Sequence, residues 1–413
     1  MERLLKIYVV MGFILTLGTG YAQMEMGLDN YLQIAVINNP GMKAKYTRFE
    51  MAMERIAQSN GLPDPTLSFG YFIQPIETKL GPQQAKVSLT QMFPWFGSLK
   101  ANSKRDTLIA QVYFEEFMES KNKLNLEVKE TYYSIYELRK IIKIHQENID
   151  ILENFKHVST AKYKNGLGSM VDVIRVDILL EYAQTEIQVL KSKNYPLQVG
   201  FNRLLNRADS MEVLISNDLN PLGYGEFSAD SLMNENPVLR GIELQMEVSK
   251  ARETVARKQG NPMIGVGVDY VFVGNVTGVE NSGNDAFMPM VTMTLPIYRK
   301  KYKSAIRETQ LEQSAWQSEH LNYENILRAD FEMVNFNWQS SVQKLTMYER
   351  QIKSTEMAIK ILVVSYSNSG KDFEEVLRMQ QKLLDYQKAQ IMALKENYMT
   401  YARMQYLMGS RIY

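Results

Sequence analysis

Three histidines, His145, His157 and His320, are the residues of this chain best suited by type to metal binding or acid–base chemistry. His145 and His157 lie in one helical stretch at a spacing of twelve residues, which places them on faces about 120° apart. No cysteine, and no carboxylate at a known ligand spacing, completes a site with them. We therefore interpret the histidines as structural residues and predict no metal site.

Two other patterns resemble functional motifs but have simpler explanations. Gly265-Val266-Gly267 lacks a third glycine and a following helix, so it does not form a dinucleotide-binding loop. The 25 methionines are scattered along the chain, which favours core filling over a relay for soft metal ions. No nucleophile elbow or catalytic triad pattern is present. The sequence predicts a protein that is not an enzyme and holds no cofactor.

The composition and the N-terminus indicate an exported protein. The 47 basic and 46 acidic residues nearly balance, and no basic stripe predicts a nucleic-acid partner. Arg3 and Lys6 precede an apolar run at 7–17, and Gly20-Tyr21-Ala22 fits a cleavage site, so we predict a signal peptide at 1–22. The absence of cysteine excludes disulfides and a lipid anchor on an N-terminal cysteine.

Two stretches without glycine or proline, Ser98–Asn165 and Ile297–Ser369, predict helices of unusual length. Each would extend over roughly 100 Å at about 1.5 Å per residue. Apolar and aromatic residues in the first stretch follow alternating steps of three and four, a spacing typical of coiled coils. The helices are therefore expected to pack against other helices along most of their length.

Each long helix is followed by a turn and a returning helix, which predicts two antiparallel helical hairpins. The turns are Asn165-Gly166-Leu167-Gly168 and Asn368-Ser369-Gly370-Lys371. The segments Ser169–Asp172 and Asp372–Glu375 follow these turns, and each matches a capping box that opens the returning helix. Pro196 is expected to kink or break the first returning helix.

Two strands with strict alternation precede each long helix, with Pro94 and Pro296 at the strand-to-helix junctions. An apolar face opposite a small or polar face fits a transmembrane β-strand, and it also fits the half-buried strand of a soluble sheet. Four strands cannot close a barrel, and lipid does not tolerate open edges, so a membrane-spanning sheet would need several chains. Three chains would supply twelve strands. The residues expected to face lipid are Leu67, Phe69, Tyr71, Ile264, Val266, Val268 and Val291.

The whole pattern occurs twice in the chain. Asn39-Pro40 recurs as Asn236-Pro237 at an offset of 197 residues, and Tyr163 recurs as Tyr366 at an offset of 203. The larger second offset fits a longer loop between the strands of the second copy. We predict one duplicated architecture with repeats at about 25–210 and about 228–410.

Taken together, these features resemble the TolC-like outer-membrane efflux protein family over residues 25–410, essentially the whole mature chain. Several motifs carry the resemblance in order. They are Leu28-x-x-Tyr31-Leu32-x-x-Ala35-x-x-Asn38-Asn39-Pro40, Pro94-Trp95-Phe96-Gly97, Tyr163-x-x-Gly166-Leu167-x-Ser169-x-x-Asp172-Val173, and the segments Tyr366–Leu377 and Tyr406–Gly409.

The resemblance implies a mainly helical homotrimer with a small β part. Twelve strands would form a transmembrane β-barrel in the outer membrane of a Gram-negative bacterium, and long helical hairpins would form an α-barrel in the periplasm. The implied partners are a periplasmic adaptor protein and an inner-membrane pump that supplies the energy. The chain itself would be a passive conduit for drugs, metal ions or other small solutes.

The resemblance also implies two functional regions at the turns between helices. The two four-residue turns would dock onto the adaptor, although Lys371 departs from the small or hydroxyl residues common there. Asp172 and Glu375 would face the tunnel axis at the periplasmic aperture, and Arg378 replaces a second acidic residue of the family pattern. Arg378 would pair with a nearby carboxylate or make the ring less anionic. The capping interpretation of the same segments stays open beside this one.

A different class of protein shares part of the pattern. A periplasmic coiled-coil adaptor, or a structural protein without a pore, would also contain long helical hairpins. Neither would need a pair of alternating strands with a Gly-rich loop in each of two repeats. The strands therefore favour the channel over this alternative.

Overall fold

The computed structural model describes residues 27–215, 218–225, 227, 235–369 and 373–409. The predicted signal peptide and the turn residues Gly370, Lys371 and Asp372 lie outside these residues. The elements of the first repeat are α1 (Leu28–Asn38), α2 (Pro40–Asn60), β1 (Thr66–Ile76), β2 (Gln83–Phe93), α3 (Ser98–Lys164) and α4 (Met170–Leu204). Those of the second are α5 (Pro237–Gln259), β3 (Ile264–Val273), β4 (Ala286–Met293), α6 (Arg299–Ser369) and α7 (Phe373–Leu407).

The long helices agree with the prediction from the distribution of glycine and proline. Helix α3 has 67 residues and α6 has 71, and each is followed by a returning helix of 35 residues. Of the two outcomes predicted for Pro196, a kink or a break, the break is wrong, because α4 continues through the proline to Leu204. Phe201 beyond the proline is fully buried against Tyr31 and Tyr132. This packing holds the last turns in the helix despite the hydrogen bond that proline removes.

The duplicated Asn-Pro pair closes each repeat in the same way. Asn39 accepts hydrogen bonds from the first backbone N–H groups of α2, and its side-chain amide donates to the carbonyl of Leu204 at 2.9 Å. Asn236 caps α5 in the same way, and its side-chain amide donates to the carbonyl of Leu407 at 3.0 Å. Proline follows at the first helical position, where its missing N–H is not needed. In both repeats the asparagine at the start of an early helix therefore hydrogen-bonds to the end of the returning helix, α4 in the first repeat and α7 in the second.

The long helices form one layer with two open edges. Contacts join α4 to α3, α3 to α7 and α7 to α6, which gives the order α4–α3–α7–α6 in the half near the turns. Nearer the strands, α2 and α5 replace the returning helices, and the order is α2–α3–α5–α6. Within the described part of the chain, no helix is both long and apolar enough to cross a lipid bilayer.

The strands form one antiparallel sheet with the order β1-β2-β3-β4. Residues of β2 pair with both neighbours, so that Leu89 lies opposite Leu67 on one side and Val268 on the other. The register shifts between Tyr71 and Ile76, at the end of β1 near the loop. Strand β4 ends at Met293, and Leu295, which continues the predicted alternation, lies beyond it.

Candidate channel wall and helix tips

All seven residues predicted to face lipid lie on one face of the sheet. They are Leu67, Phe69, Tyr71, Ile264, Val266, Val268 and Val291, and each is exposed in the single chain. The pairing places Phe69 opposite Val87, Val87 opposite Tyr270, and Tyr270 opposite Phe287, so the apolar rows cross all four strands. An apolar face that is continuous across a sheet and uncovered in the chain needs an apolar neighbour.

The opposite face of the sheet carries the charged and hydroxyl side chains of the strands, with glycines and apolar residues such as Val271 and Met288 between them. It carries Ser88, Thr90 and Thr292, together with an ion pair between Lys86 and Asp269. The carboxylate of Asp269 is buried, whereas the Lys86 side chain is 36% exposed. The two faces of the sheet therefore differ in polarity as the inner and outer walls of a membrane barrel do.

The two hairpin loops lie together at the end of the sheet away from the helices. The N–H of Gly274 donates to the carbonyl of Pro82 at 2.7 Å, and that of Gly283 donates to the carbonyl of Leu80 at 2.9 Å. One loop joins β1 to β2, and the other joins β3 to β4. Their contacts join the first repeat to the second at this end of the molecule.

The first helix tip, the turn between α3 and α4, closes on itself. Gly166 has a φ of 69°, and the N–H groups of Gly166 and Leu167 donate to the carbonyls of Tyr163 and Lys162. These bonds form a Schellman motif, which needs a left-handed residue at the glycine position. Ser169 then caps α4 by accepting a hydrogen bond from the N–H of Val171 at 3.1 Å. The capping role of Ser169 is present, and the side chain of Leu167 is left 66% exposed.

The second helix tip, the turn between α6 and α7, is described only at its two ends. Helix α6 ends at Ser369, one residue after the exposed Asn368, and α7 begins at Phe373. The rings of Tyr366 and Phe373 stack with centroids 4.4 Å apart, and both residues are buried. Lys162 of the first tip donates to the carbonyls of Tyr366 and Ser367 at 2.7 and 3.1 Å. The end of α6 is thus capped by a cation from the other repeat.

The residues predicted to line an aperture take part in ion pairs. Glu375 pairs with Arg378 one turn later in α7, with 2.5 Å between a carboxylate oxygen and the guanidinium. The side chain of Asp172 is only 13% exposed and lies 3.8 Å from Arg175. Burial raises the pKa of the nearby Tyr366 hydroxyl, and the charge of Asp172 raises it further. The structure therefore brings each predicted carboxylate next to an arginine.

Arg175 is the functional candidate that sequence reasoning missed. Its guanidinium lies 2.9 Å from Glu374 and so links α4 to α7 across the two tips. A signal was available, because Asp172-x-x-Arg175 recurs as Glu375-x-x-Arg378 at an offset of 203. In the first copy the arginine reaches the other repeat, and in the second it stays on its own helix.

The histidines occupy unrelated positions. His145 is buried, His157 is exposed, and His320 lies 3.6 Å from Glu243 and 3.8 Å from Glu324. Among the described residues, no group of three or more His, Cys, Asp or Glu side chains is arranged to hold a metal ion.

Comparison with solved structures identifies the architecture. The outer-membrane channel OprN superposes with a TM-score of 0.76 at 15% sequence identity, covering 92% of this chain and 89% of that one. The chain has the fold of an outer-membrane channel. The outer-membrane protein VceC from Vibrio cholerae gives a TM-score of 0.75 at 12% identity, with 93% of this chain and 96% of that chain covered.

A third channel, in its open state, supports the same assignment. MtrE from Neisseria gonorrhoeae gives a TM-score of 0.74 at 14% identity and covers 96% of this chain and 94% of that one. No protein-family profile and no curated protein matches the sequence. The fold inferred from the sequence motifs, with long antiparallel helical hairpins and four strands, is confirmed. The structural similarity between this chain and these channels extends over nearly the whole chain.

Proposed function

We propose that the chain is the outer-membrane channel component of a tripartite efflux pump. Three copies form a passive conduit in which twelve strands span the outer membrane and the helices form a tunnel in the periplasm. The observation that carries the proposal is the sheet, whose apolar face is uncovered and whose edge strands β1 and β4 are unpaired on one side within the described chain. Neither feature is stable in lipid unless other copies close the sheet.

The edges of the helix layer support the same closure. Helices α4 and α6 form the two edges near the turns, and both carry exposed apolar residues at coiled-coil spacing. On α4 these are Val171, Ile174, Ile178, Tyr182 and Val189, and on α6 they include Phe336, Met347, Met357, Ile361 and Val364. A layer that ends in an apolar stripe at each side closes when α4 of one copy packs on α6 of the next.

The tips are the proposed contact with a periplasmic adaptor, through which an inner-membrane pump delivers its substrates. The first tip exposes Tyr163, Leu167, Met170 and Val171 together, and the Schellman turn gives Leu167 no intramolecular packing that would explain an apolar residue there. Asn165, Gly166 and Gly168 complete this docking turn. The sequence predicts the same docking role for Asn368, Ser369, Gly370 and Lys371 of the second repeat, and we extend the proposal to them.

The aperture is the narrow end of the proposed tunnel. Asp172 and Glu375 repeat three times around the axis in a trimer, each beside an arginine of its own chain. Arg378 reduces the negative charge that Glu375 contributes. We therefore propose an aperture whose carboxylates are partly neutralised, rather than an open ring of six charges.

The assembly test is the mass and conductance of the full-length protein. Protein extracted in detergent should have the mass of three copies by light scattering, and it should form conducting channels in planar bilayers. A monodisperse monomer that is stable without detergent would contradict the proposal. A soluble coiled-coil adaptor, the alternative class, would behave in that way.

A pair of arginine substitutions tests which face of the sheet meets lipid. Val268→Arg should impair membrane insertion by about 2–4 kcal/mol if the residue lies near the bilayer midplane. Thr90→Arg on the polar face is the matched control and should insert normally. Gly267 is unsuitable for this purpose, because a Cβ there would lie 2.8 Å from the carbonyl oxygen of Leu89. Equal yields of heat-resistant oligomer for wild type and Val268→Arg would exclude this register.

A further inference from the structure

The four strands contain only two charged residues, and these two form an ion pair with each other. Lys86 is the single charged residue of β2, Asp269 is the single charged residue of β3, and β1 and β4 contain none. Both lie on the polar face of the sheet, on neighbouring strands. This one ion pair therefore sets the net charge of the polar face of the sheet.

The strand register makes the pairing diagonal. Asp269 lies directly opposite Ser88, whereas Lys86 lies opposite Val271, so the lysine reaches one row along the sheet to the carboxylate. Asp269 is fully buried, while the Lys86 side chain keeps 36% of its surface exposed. The lysine thus covers the carboxylate and separates it from the space that the polar face bounds.

Lys86 is the charged side chain that compensates this carboxylate, and Ser88 adds a neutral hydrogen bond. In the row of Asp269 the flanking strands contribute Ser88 and Met288, and in the row of Lys86 they contribute Gly70 and Val271. None of these side chains carries a charge. Removal of either partner would therefore leave a single uncompensated charge on the wall.

We propose that the Lys86–Asp269 pair keeps the barrel wall electrically neutral, so that this part of the conduit passes solutes without selection by charge. The inference rests on the proposed function, because it assumes that the polar face lines the lumen of a trimer. Loss of Lys86 would expose three carboxylates per trimer, and loss of Asp269 would leave three ammonium groups. Charge selection would then occur in the barrel as well as at the aperture.

The absence of cysteine from the chain allows a local measurement of the potential in the barrel. Thr90→Cys places a thiol on the polar face one row from Asp269. Its reaction rate is measured with a cationic and with an anionic methanethiosulfonate reagent on the trimer in lipid vesicles. The ratio of the two rates reports the local potential, because thiol reactivity cancels while the local reagent concentrations change in opposite directions.

The pair variants have opposite expected effects on this ratio. Lys86→Met should raise the ratio of cationic to anionic rate several-fold, and Asp269→Asn should lower it several-fold. The double variant and Lys86→Arg should both keep the wild-type ratio. Raising the salt from 0.1 to 1 M should remove most of each shift, because the screening length falls from about 10 Å to about 3 Å.

A purely structural role of the pair predicts a different result. Unchanged ratios in both single variants, with Thr90→Cys still reactive, would overturn the inference. If neither single variant yields heat-resistant trimer, the neutral double variant decides, since a shifted ratio there would also overturn it. Val291→Cys on the apolar face tests the proposed function separately. If that thiol reacts with the charged reagents as fast as Thr90→Cys, the assignment of the lipid-facing side fails, whatever the pair does.

Discussion

The two helix tips of this chain occupy matching positions in the predicted sequence repeats but are held in different ways. The first tip is closed by its own backbone through the Schellman motif at Gly166 and the Ser169 cap. The described ends of the second tip receive two cations from the first, Lys162 on the carbonyls that end α6 and Arg175 on Glu374. The first tip is therefore a supporting tip and the second a supported tip.

The largest expected effect comes from the exposed leucine of the supporting tip. Leu167→Asp should abolish export, because a charge at the centre of the apolar docking turn opposes burial against the adaptor. The amount of trimer should not change, since Leu167 is exposed in the chain. The readout is the resistance of cells to pump substrates, with trimer followed by gel analysis.

Asn368→Asp is the matched control, because it places the same charge on the corresponding turn of the supported tip. We expect partial export from this variant, because it leaves the apolar side chain of Leu167 in place. Full export by Leu167→Asp would show that docking does not use the first tip.

The next effect concerns the cations that hold the supported tip. Lys162→Met should destabilise the end of α6 by about 1 kcal/mol, the usual net value of a hydrogen bond, because the carbonyls of Tyr366 and Ser367 lose their donor. Hydrogen exchange at the adjoining backbone should become faster, and closed channels should open more often. Arg175→Ala should act in the same direction but more weakly, since both members of its ion pair are exposed.

The supporting tip provides the comparison for this measurement. If exchange rises equally at both tips in Lys162→Met, the proposed dependence of one tip on the other is wrong.

A smaller effect separates the charge role of the tips from the capping role. Arg378→Ala frees the Glu375 carboxylate and should increase cation preference in single-channel recordings, whereas Glu375→Ala should decrease it. Ser169→Ala should instead loosen α4 by about 0.5–2 kcal/mol, the usual value of a helix cap, with selectivity unchanged. Identical selectivity in all three variants would favour capping as the only role of these segments.

The smallest effect is a pH dependence that arises from His145 in the first repeat. Burial lowers the pKa of His145 below its ordinary value of 6.5; Lys388 of α7 lowers it further, and Glu186 of α4 opposes the shift. The unfolded chain therefore binds more protons below about pH 6.5, so stability should decrease as the pH falls through that range. The residue 203 positions later is Tyr348, so the second repeat has no imidazole at the matching position.

Denaturation of the trimer at pH 5 and pH 8 measures this slope. His145→Leu should reduce it, and the control His157→Leu, at an exposed site on the same helix, should not. A slope that is unchanged by His145→Leu would assign the acid sensitivity to other groups.

Local sequence signals predicted the elements well because each depends on neighbouring residues. The absence of glycine and proline marked α3 and α6 almost to the residue, and strict alternation identified the apolar face that contains Val266 and Val268. The predicted break at Pro196 was wrong because the continuation of α4 depends on the burial of Phe201, which is a tertiary contact.

The residues missed at the candidate sites all act over long distances in sequence. The partner of Arg175 is Glu374, in the other repeat, and the Lys86–Asp269 pair exists only in one register of β2 against β3. A single sequence contains these side chains but not the pairing that brings them together. The recurrence of acid-x-x-Arg at both tips was visible, and it did not reveal which arginine crosses between the repeats.

The asparagine caps have a consequence for the ancestry of the chain. Because Asn39 binds the carbonyl of Leu204 and Asn236 binds that of Leu407, each repeat starts close to where it stops. A unit whose ends meet can be copied in tandem with little rearrangement, since the second copy begins beside the first. An ancestral protein of one repeat would have needed six chains to complete the same ring. In the proposed trimer, fusion of two repeats in one chain would leave three chains and would allow alternate tips around the ring to evolve separately.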